Sequence, residues 1–155
     1  MTDKTDPLIA ADVLRGVSRL LYRHEYLGVP EVPLRNGRRA DIMALGPKGE
    51  IMIIEIKVSR ADLLGDGKWP DYLDYCDHYY WAVPQGFDLT LFDREALAPD
   101  VAGLMVADRY DGAIVREASH RPLAAARRKT ETLRIARLAT RRMLSLSAIL
   151  DVDLA

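Results

Sequence analysis

The feature that most constrains the fold is a pair of apolar segments, residues 40–45 and 50–58, joined by the turn sequence Gly-Pro-Lys-Gly. Glycine and proline favour a tight connection, so the two segments are predicted to form a β-hairpin. The second segment places isoleucine, methionine and valine on both faces of a strand, which is typical of a central strand covered on both sides. The chain is therefore expected to build a sheet around this strand.

Periodic patterns on either side of the hairpin predict the other elements. Apolar residues recur at three- and four-residue spacing after Pro7, which predicts a helix with Asp6 as its N-cap and its end near Arg23. Short apolar runs and turn residues predict the remaining strands at 31–34, 79–83, 103–107 and 113–115, a short helix capped by 59–62, a helix before residue 79, and a long helix over 123–146. The core order is αβββαβ, followed by two further strands and the long helix. We expect a mixed α/β or α+β fold, with a mixed central sheet flanked by helices, in a single domain of residues 1–155.

Length and composition restrict the class of protein. A chain of 155 residues is the size of one ordinary domain. Its formal net charge of -1 means that affinity for nucleic acid would come from local clusters of its 22 lysines and arginines. The single cysteine, Cys76, leaves no intramolecular disulfide and indicates a reducing, cytoplasmic location. The sequence has no run of about 18 apolar residues and no apolar signal segment, so no membrane association is expected.

Three charged residues of the hairpin form the candidate site. Asp41 lies near the start of the first segment, whereas Glu55 and Lys57 lie two residues apart near the end of the second. Alternate side chains of a strand share a face, and a hairpin carries Asp41 back toward Glu55, so two carboxylates and an ammonium are predicted to share one pocket. Alone, Glu-x-Lys in a strand is typical of an ordinary exposed ion pair. Here it ends a strand that is apolar on both faces, where an unpaired charge is costly to bury.

This group of side chains is suited to phosphodiester hydrolysis. Mg²⁺ prefers hard oxygen ligands and retains several waters, so Asp41, Glu55 and the backbone carbonyl of Ile56 would hold it, with Mn²⁺ as an alternative ion. Lys57 would orient the attacking water or offset the charge that develops on the phosphate. Asp41, Glu55 and Lys57 are therefore the predicted catalytic residues.

Three neighbouring residues are weaker candidates. Glu31, on the preceding strand, is a candidate third carboxylate for the metal, and the alternative is a solvated strand end. Arg38 and Arg39 are candidates for contacting DNA phosphates or for neutralising one of the acids, and the alternative is a surface ion pair.

The C-terminal segment is strongly basic. Between residues 121 and 146 eight cations accompany one anion, Glu131. Arg127, Arg134 and Arg141 recur every seven residues with Arg137 between them, so a helix would present a cationic ridge that contacts phosphates. The alternative is a solvated face whose cations pair with acids elsewhere in the fold.

Four longer blocks carry a family resemblance. The blocks GRRADI, IIEIKVSRADL, KWPDYLDYCDHYYWAVP and AARRKTETLRIARLATRRML are similar to the MmcB-like DNA repair family of bacteria. The predicted element order, with Asp41 followed by Glu55-Ile56-Lys57, resembles the core of the PD-(D/E)XK nuclease superfamily, although Ala40 stands where the motif has proline. The resemblance implies a restriction-endonuclease-like fold and a role in DNA repair. Lys68, Tyr72 and Tyr75 follow the motif at distances where related nucleases often place helper residues, which makes Lys68 a candidate for contacting DNA and Tyr72 a candidate helper. Core packing explains at least one of the two tyrosines more simply.

Three hypotheses follow. The favoured one is a Mg²⁺-dependent DNA nuclease in repair, and the second is a DNA-binding repair module of the same fold that cuts weakly or not at all. The third is a small-molecule or partner-binding role without nucleic acid. DNA is the expected partner, and either a homodimer or a complex with repair proteins is compatible with the chain. The histidines at 24, 78 and 120 share no ligand spacing, so no zinc site is predicted.

Overall fold

The computed structural model describes residues 6–147, and within this range the chain forms three α-helices and six strands. The helices are α1 (Ala10–Arg23), α2 (Arg60–Gly65) and α3 (Ala125–Leu146). The strands are β1 (Leu27–Pro33), β2 (Arg39–Leu45), β3 (Ile51–Ile56), β4 (His78–Pro84), β5 (Gly103–Ala107) and β6 (Gly112–Arg116). Short 3₁₀ helices span Trp69–Tyr75, Leu89–Asp93 and Glu95–Leu97. This element order confirms the predicted mixed sheet with flanking helices and a C-terminal helix.

The strands lie in the sheet in chain order, from β1 at one edge to β6 at the other. β1, β2 and β3 form an antiparallel meander, β4 and β5 continue parallel to β3, and β6 returns antiparallel. The hairpin register pairs Ile42 with Ile54 and Leu45 with Ile51. Extending this register by one residue places Asp41 across from Glu55.

Two apolar cores cover the two faces of the sheet. On one face α1 packs Val17 and Leu21 against a cluster that includes Ile54 of β3. On the other face the 3₁₀ segments and α3 cover Ile53 and Trp81. The central strand β3 is therefore buried on both faces, as its sequence predicts.

Several elements differ from their predicted form or bounds, and β1 begins at Leu27 rather than at residue 31. Helix α1 begins at Ala10, and the Asp12 carboxylate accepts the N–H of Ile9, the N-cap residue, at 2.9 Å. Asp12 therefore supplies the hydrogen bond at the N-terminus of the helix that Asp6 was predicted to supply. The segment before β4 is a 3₁₀ helix, in which Trp69, Tyr72 and Tyr75 are all buried. Their three-residue spacing matches the repeat of a 3₁₀ helix and aligns these aromatic side chains on the core. In the described part of the chain, none of the helices has the length and apolarity needed to cross a membrane.

A buried carboxylate fastens α3 to the sheet. Asp77, just before β4, is 1% exposed and accepts the N–H groups of Ile51 and Leu123, each at 2.8 Å. Arg128 of α3 donates to both of its oxygens and to the carbonyl of Gly49. Burial alone would raise the pKa of Asp77, but hydrogen bonds from Arg128 and the backbone lower the pKa to about 2. This carboxylate therefore remains ionised, and it links the start of β3, the segment before α3 and α3 itself.

Candidate active site

Asp41 and Glu55 form a carboxylate pair across β2 and β3. The N–H of Asp41 donates to Oε1 of Glu55 at 3.0 Å, and the N–H of Ile56 donates to Oδ2 of Asp41 at 2.7 Å. Each carboxylate is thus held by the backbone of the neighbouring strand. The hairpin brings the two carboxylates together, as its pattern predicts, and Glu55 is only 5% exposed.

Crowding of the two carboxylates changes the protonation of Glu55. Burial raises the pKa of Glu55 to about 9, with further upward contributions from the charge of Asp41 and from a side-chain hydrogen bond with Asp41. The N–H of Asp41 and the charge of Lys57 act in the opposite direction. Glu55 consequently carries a proton at neutral pH, since burial and an adjacent carboxylate disfavour its charged form.

The pair fits a hard divalent cation. Its donors are carboxylate oxygens, the ligands that Mg²⁺ and Mn²⁺ prefer, and a cation can replace the proton on Glu55 as the compensating charge. Asp41 and Glu55 are the residues that would hold the ion. Among residues 6–147 no set of three or more His, Cys, Asp or Glu side chains is arranged to bind a metal, so the site offers two carboxylates.

Glu31 does not join the pair. Its side chain is 67% exposed and lies 4.0 Å from the guanidinium of Arg39. The backbone of Glu31 adopts φ of 49°, a left-handed conformation that interrupts its regular pairing with β2. The expected third metal ligand is therefore a solvated strand residue in this structure.

Replacing Glu55 with glutamine is expected to flatten the pH dependence of stability in metal-free buffer. A raised pKa means that the folded parent binds a proton that the unfolded chain releases, so its stability is full below the ordinary pKa of 4.5 and is lost as pH rises toward about 9. Glutamine keeps an oxygen for the N–H of Asp41 but does not titrate. Urea unfolding across this pH range in EDTA should therefore show a falling free energy of unfolding for the parent and a flatter profile for Glu55→Gln. Parallel profiles would contradict a raised pKa of Glu55.

Lys57 pairs with an acid that the sequence analysis did not select. Its Nζ lies 2.9 Å from Oδ2 of Asp66, and the side chains are 15% and 17% exposed. Asp66 follows α2, which starts beside Lys57 because the Ser59 hydroxyl accepts the N–H of Asp62. In the sequence, Asp66 lies between two glycines, a pattern that indicates only a break in the chain after a short helix. The structure thus places Lys57 within electrostatic range of Glu55 but gives it Asp66 as its ion-pair partner.

Aromatic residues close the pocket on the side of the 3₁₀ helix. The Tyr72 hydroxyl donates to the carbonyl of Arg39 at 3.0 Å, next to Asp41, and burial raises the Tyr72 pKa. The Tyr79 hydroxyl is buried without a hydrogen-bond partner among the described residues. Tyr75 and Cys76 are packed in the core, and burial raises the pKa of the Cys76 thiol to about 12. Tyr72 therefore lies beside the carboxylate pair and is hydrogen-bonded to β2, whereas Cys76 is a buried thiol of the core.

The predicted cations at the rim differ in their contacts. Arg38 bonds to the carboxylate of Asp71, with its Nε at 3.2 Å from Oδ2. Arg39 is 65% exposed beside Glu31, and Lys68 is also exposed. Arg39 and Lys68 therefore face solvent near the carboxylate pair, where they are accessible to a phosphate backbone.

Some of the basic residues on α3 form contacts within the fold, and others are exposed. Arg134 donates to Glu131 and to the carbonyl of Pro33, and Arg142 donates to the carbonyls of Pro30 and Glu31. These guanidiniums hydrogen-bond to backbone carbonyls on the open edge of β1. An edge with unpaired carbonyls could pair with a strand of another chain.

Of the other ridge residues, Arg127 lies over the Tyr75 ring at 4.8 Å and 3.8 Å from buried Glu131. Arg137 and Arg141 are exposed. The exposed cationic surface of α3 is therefore narrower than the sequence indicates, because several of its cations contact other parts of the fold.

Comparison with known proteins relates the chain to a family and to a solved structure. A family model described as DNA repair protein MmcB-like matches residues 1–149. A solved structure of a protein of unknown function from Silicibacter pomeroyi is 42% identical in sequence and superposes with a TM-score of 0.81. That match covers 98% of this chain and 99% of the other. Among curated proteins, none shows significant similarity.

Proposed function

The chain belongs to the MmcB-like DNA repair protein family, and from that premise we propose that it is a metal-dependent nuclease that hydrolyses DNA phosphodiester bonds. The observation that carries the proposal is the Asp41–Glu55 pair, in which two carboxylates are each held by the opposite strand. Such a pair has no evident value for stability, because its members repel each other unless they share a proton. It is well suited to binding a cation at a phosphate.

Each residue of the site would have a separate role in hydrolysis. Asp41 and Glu55 would hold Mg²⁺ or Mn²⁺, which when bound lowers the pKa of water and neutralises phosphate charge. Lys57 supplies an ammonium that offsets negative charge on the phosphate as water attacks. Arg39 and Lys68 at the rim, with Arg137 and Arg141 on α3, attract and position the DNA backbone without reading its sequence.

Asp66 acts in this scheme as the positioning residue of Lys57. Replacing Asp66 with asparagine is expected to lower the single-turnover cleavage rate about tenfold while leaving DNA affinity unchanged, because the ammonium loses the partner that fixes its location. Asp66→Glu should restore part of the rate. The control is Asp71→Asn, which removes the partner of Arg38 and should leave the rate near the parent value. Equal rates for Asp66→Asn and the parent would exclude this role.

A DNA-binding repair module that does not cut is the second candidate. The contact that favours it is the Lys57–Asp66 pair itself, since an ammonium held by one carboxylate is less available to a phosphate. In this alternative the protein binds DNA through the same exposed cations and recruits other repair proteins.

Cleavage assays separate the two candidates. Purified protein would be incubated with labelled single-stranded, duplex, flapped and branched DNA in Mg²⁺, in Mn²⁺ and in EDTA. The nuclease proposal predicts cutting of at least one substrate with either metal and none in EDTA. Salt-dependent binding without cutting of any substrate would favour the non-cutting module, and absence of DNA binding would exclude both.

A further inference from the structure

A second concave site lies on the other face of the sheet from the carboxylate pair. It is a cavity of about 150 Å³ between the end of α1 and the sheet. Its apolar wall is formed by Leu20 of α1, Met52 of β3, Met105 of β5 and Ile114 of β6. Protein interiors are close-packed, so an apolar space of this size beside the core lacks contacts that a ligand would supply.

His78 supplies an uncharged ring at one side of this cavity. Burial and the neighbouring His120 lower the pKa of His78, so the ring is neutral near pH 7. The His78 ring stacks on His120 with centroids 4.8 Å apart. Its Nδ1 is fully covered by surrounding atoms, so the ring, and not this nitrogen, is what His78 offers a ligand.

A carboxylate completes the polar side. Glu117 lines the same cavity and accepts the hydroxyl proton of Tyr80 at 2.8 Å. Glu117 is exposed and has further acceptor capacity, because an ionised carboxylate offers about four lone pairs. The polar lining also includes His24, Tyr26 and Tyr80, and Glu117 is its carboxylate. The negative charge of Glu117 favours a ligand that carries N–H donors.

We propose that this cavity is a binding site for a single aromatic ring that carries amino N–H donors. The apolar wall would enclose the ring, and the Glu117 carboxylate would accept its amino N–H groups. A cavity of about 150 Å³ is the size that holds one benzene-sized ring. A free small heterocycle and an unstacked cytosine of single-stranded DNA both have an aromatic ring with an amino group.

The test uses the full chain with labelled methyl groups on methionine and isoleucine. 2-Aminopyridine, benzene and a short single-stranded oligodeoxycytidine would each be titrated while the NMR signals of Met52, Met105 and Ile114 are followed. We expect saturable shifts of these signals with 2-aminopyridine. Shifts with the oligonucleotide as well would assign the ligand to nucleic acid, whereas shifts with the free ring alone would assign it to a small molecule.

Two variants make the test specific. Glu117→Gln retains an oxygen for the Tyr80 hydroxyl but loses the charge, so it should weaken 2-aminopyridine binding by roughly tenfold and leave benzene binding unchanged. Ile114→Trp on edge strand β6 should fill the cavity and block both rings. The proposal is overturned if 2-aminopyridine causes no shifts, or if benzene binds equally well and Glu117→Gln changes neither affinity. Cleavage by the carboxylate pair is a separate activity, and Asp41→Asn should bind 2-aminopyridine like the parent.

Discussion

Replacing Asp41 with asparagine is expected to reduce DNA cleavage by on the order of 10²–10³-fold or more while the protein remains folded. Asparagine keeps a side-chain oxygen that accepts the N–H of Ile56, so the hairpin geometry is retained. It removes the negative charge that makes the pair a cation site. Lys57→Ala should show a loss of similar size, because the ammonium that offsets phosphate charge is absent.

The measurement is a single-turnover rate on the preferred DNA substrate with protein in excess. DNA affinity, measured in parallel in EDTA, should remain within a few-fold of the parent because the phosphate-contacting cations are intact. Asp93→Asn is a suitable control, since Asp93 is 77% exposed and pairs only loosely with Arg116 at 3.6 Å. If Asp41→Asn and Lys57→Ala both cut like the parent, the observed activity does not come from this site.

Replacing Asp77 with alanine is expected to cost about 3–5 kcal/mol of stability, the usual penalty for breaking a buried ion pair by removing one partner. The change leaves Arg128 without its carboxylate and two backbone N–H groups, those of Ile51 and Leu123, without an acceptor. For a chain of this length each kilocalorie lowers the melting temperature by about 2–4 °C. The melting temperature should therefore fall by roughly 10 °C.

The exposed pair of Arg116 and Asp93 supplies the matched comparison. Asp93→Ala removes an acid of the same type and should cost no more than about 1 kcal/mol. The lowered pKa of Asp77 also sets a pH dependence, because its stabilising contribution is present above the ordinary pKa of 3.8 and is lost as pH falls through about 2. Asp77→Asn should show less of this acid-side loss. Equal costs for Asp77→Ala and Asp93→Ala would show that Asp77 does not anchor α3.

The hairpin could be predicted from sequence because its determinants are local. Alternation of side chains, the Gly-Pro-Lys-Gly turn and apolarity on both faces fix the central strand and place Asp41 opposite Glu55. The 3₁₀ helix before β4 was predicted as an ordinary helix, because Trp69, Tyr72 and Tyr75 fit either element at three-residue spacing. Its form depends on the aromatic core against which it packs.

Interactions between distant segments could not be predicted in this way. The partner of Lys57 is Asp66, which reaches it only because α2 turns the chain back, and no periodicity encodes that contact. No local pattern marks Asp77, yet the fold buries it against Arg128. Arg134 belongs to the ridge predicted to contact DNA, but its guanidinium bonds to the open edge of β1, and Arg142 does the same. In each case the partner is a long-range property of the fold rather than of the local sequence.

The most direct test of the central claim is to measure cation binding and cleavage over the same Mg²⁺ series. Thermal unfolding reports binding to the Asp41–Glu55 pair, and initial rates on labelled DNA report cleavage. The account predicts that both rise with the same half-saturating Mg²⁺ concentration in the parent, and that both responses are lost in Asp41→Asn. Cleavage that persists in EDTA, or Mg²⁺ stabilisation that is unchanged in Asp41→Asn, would contradict it.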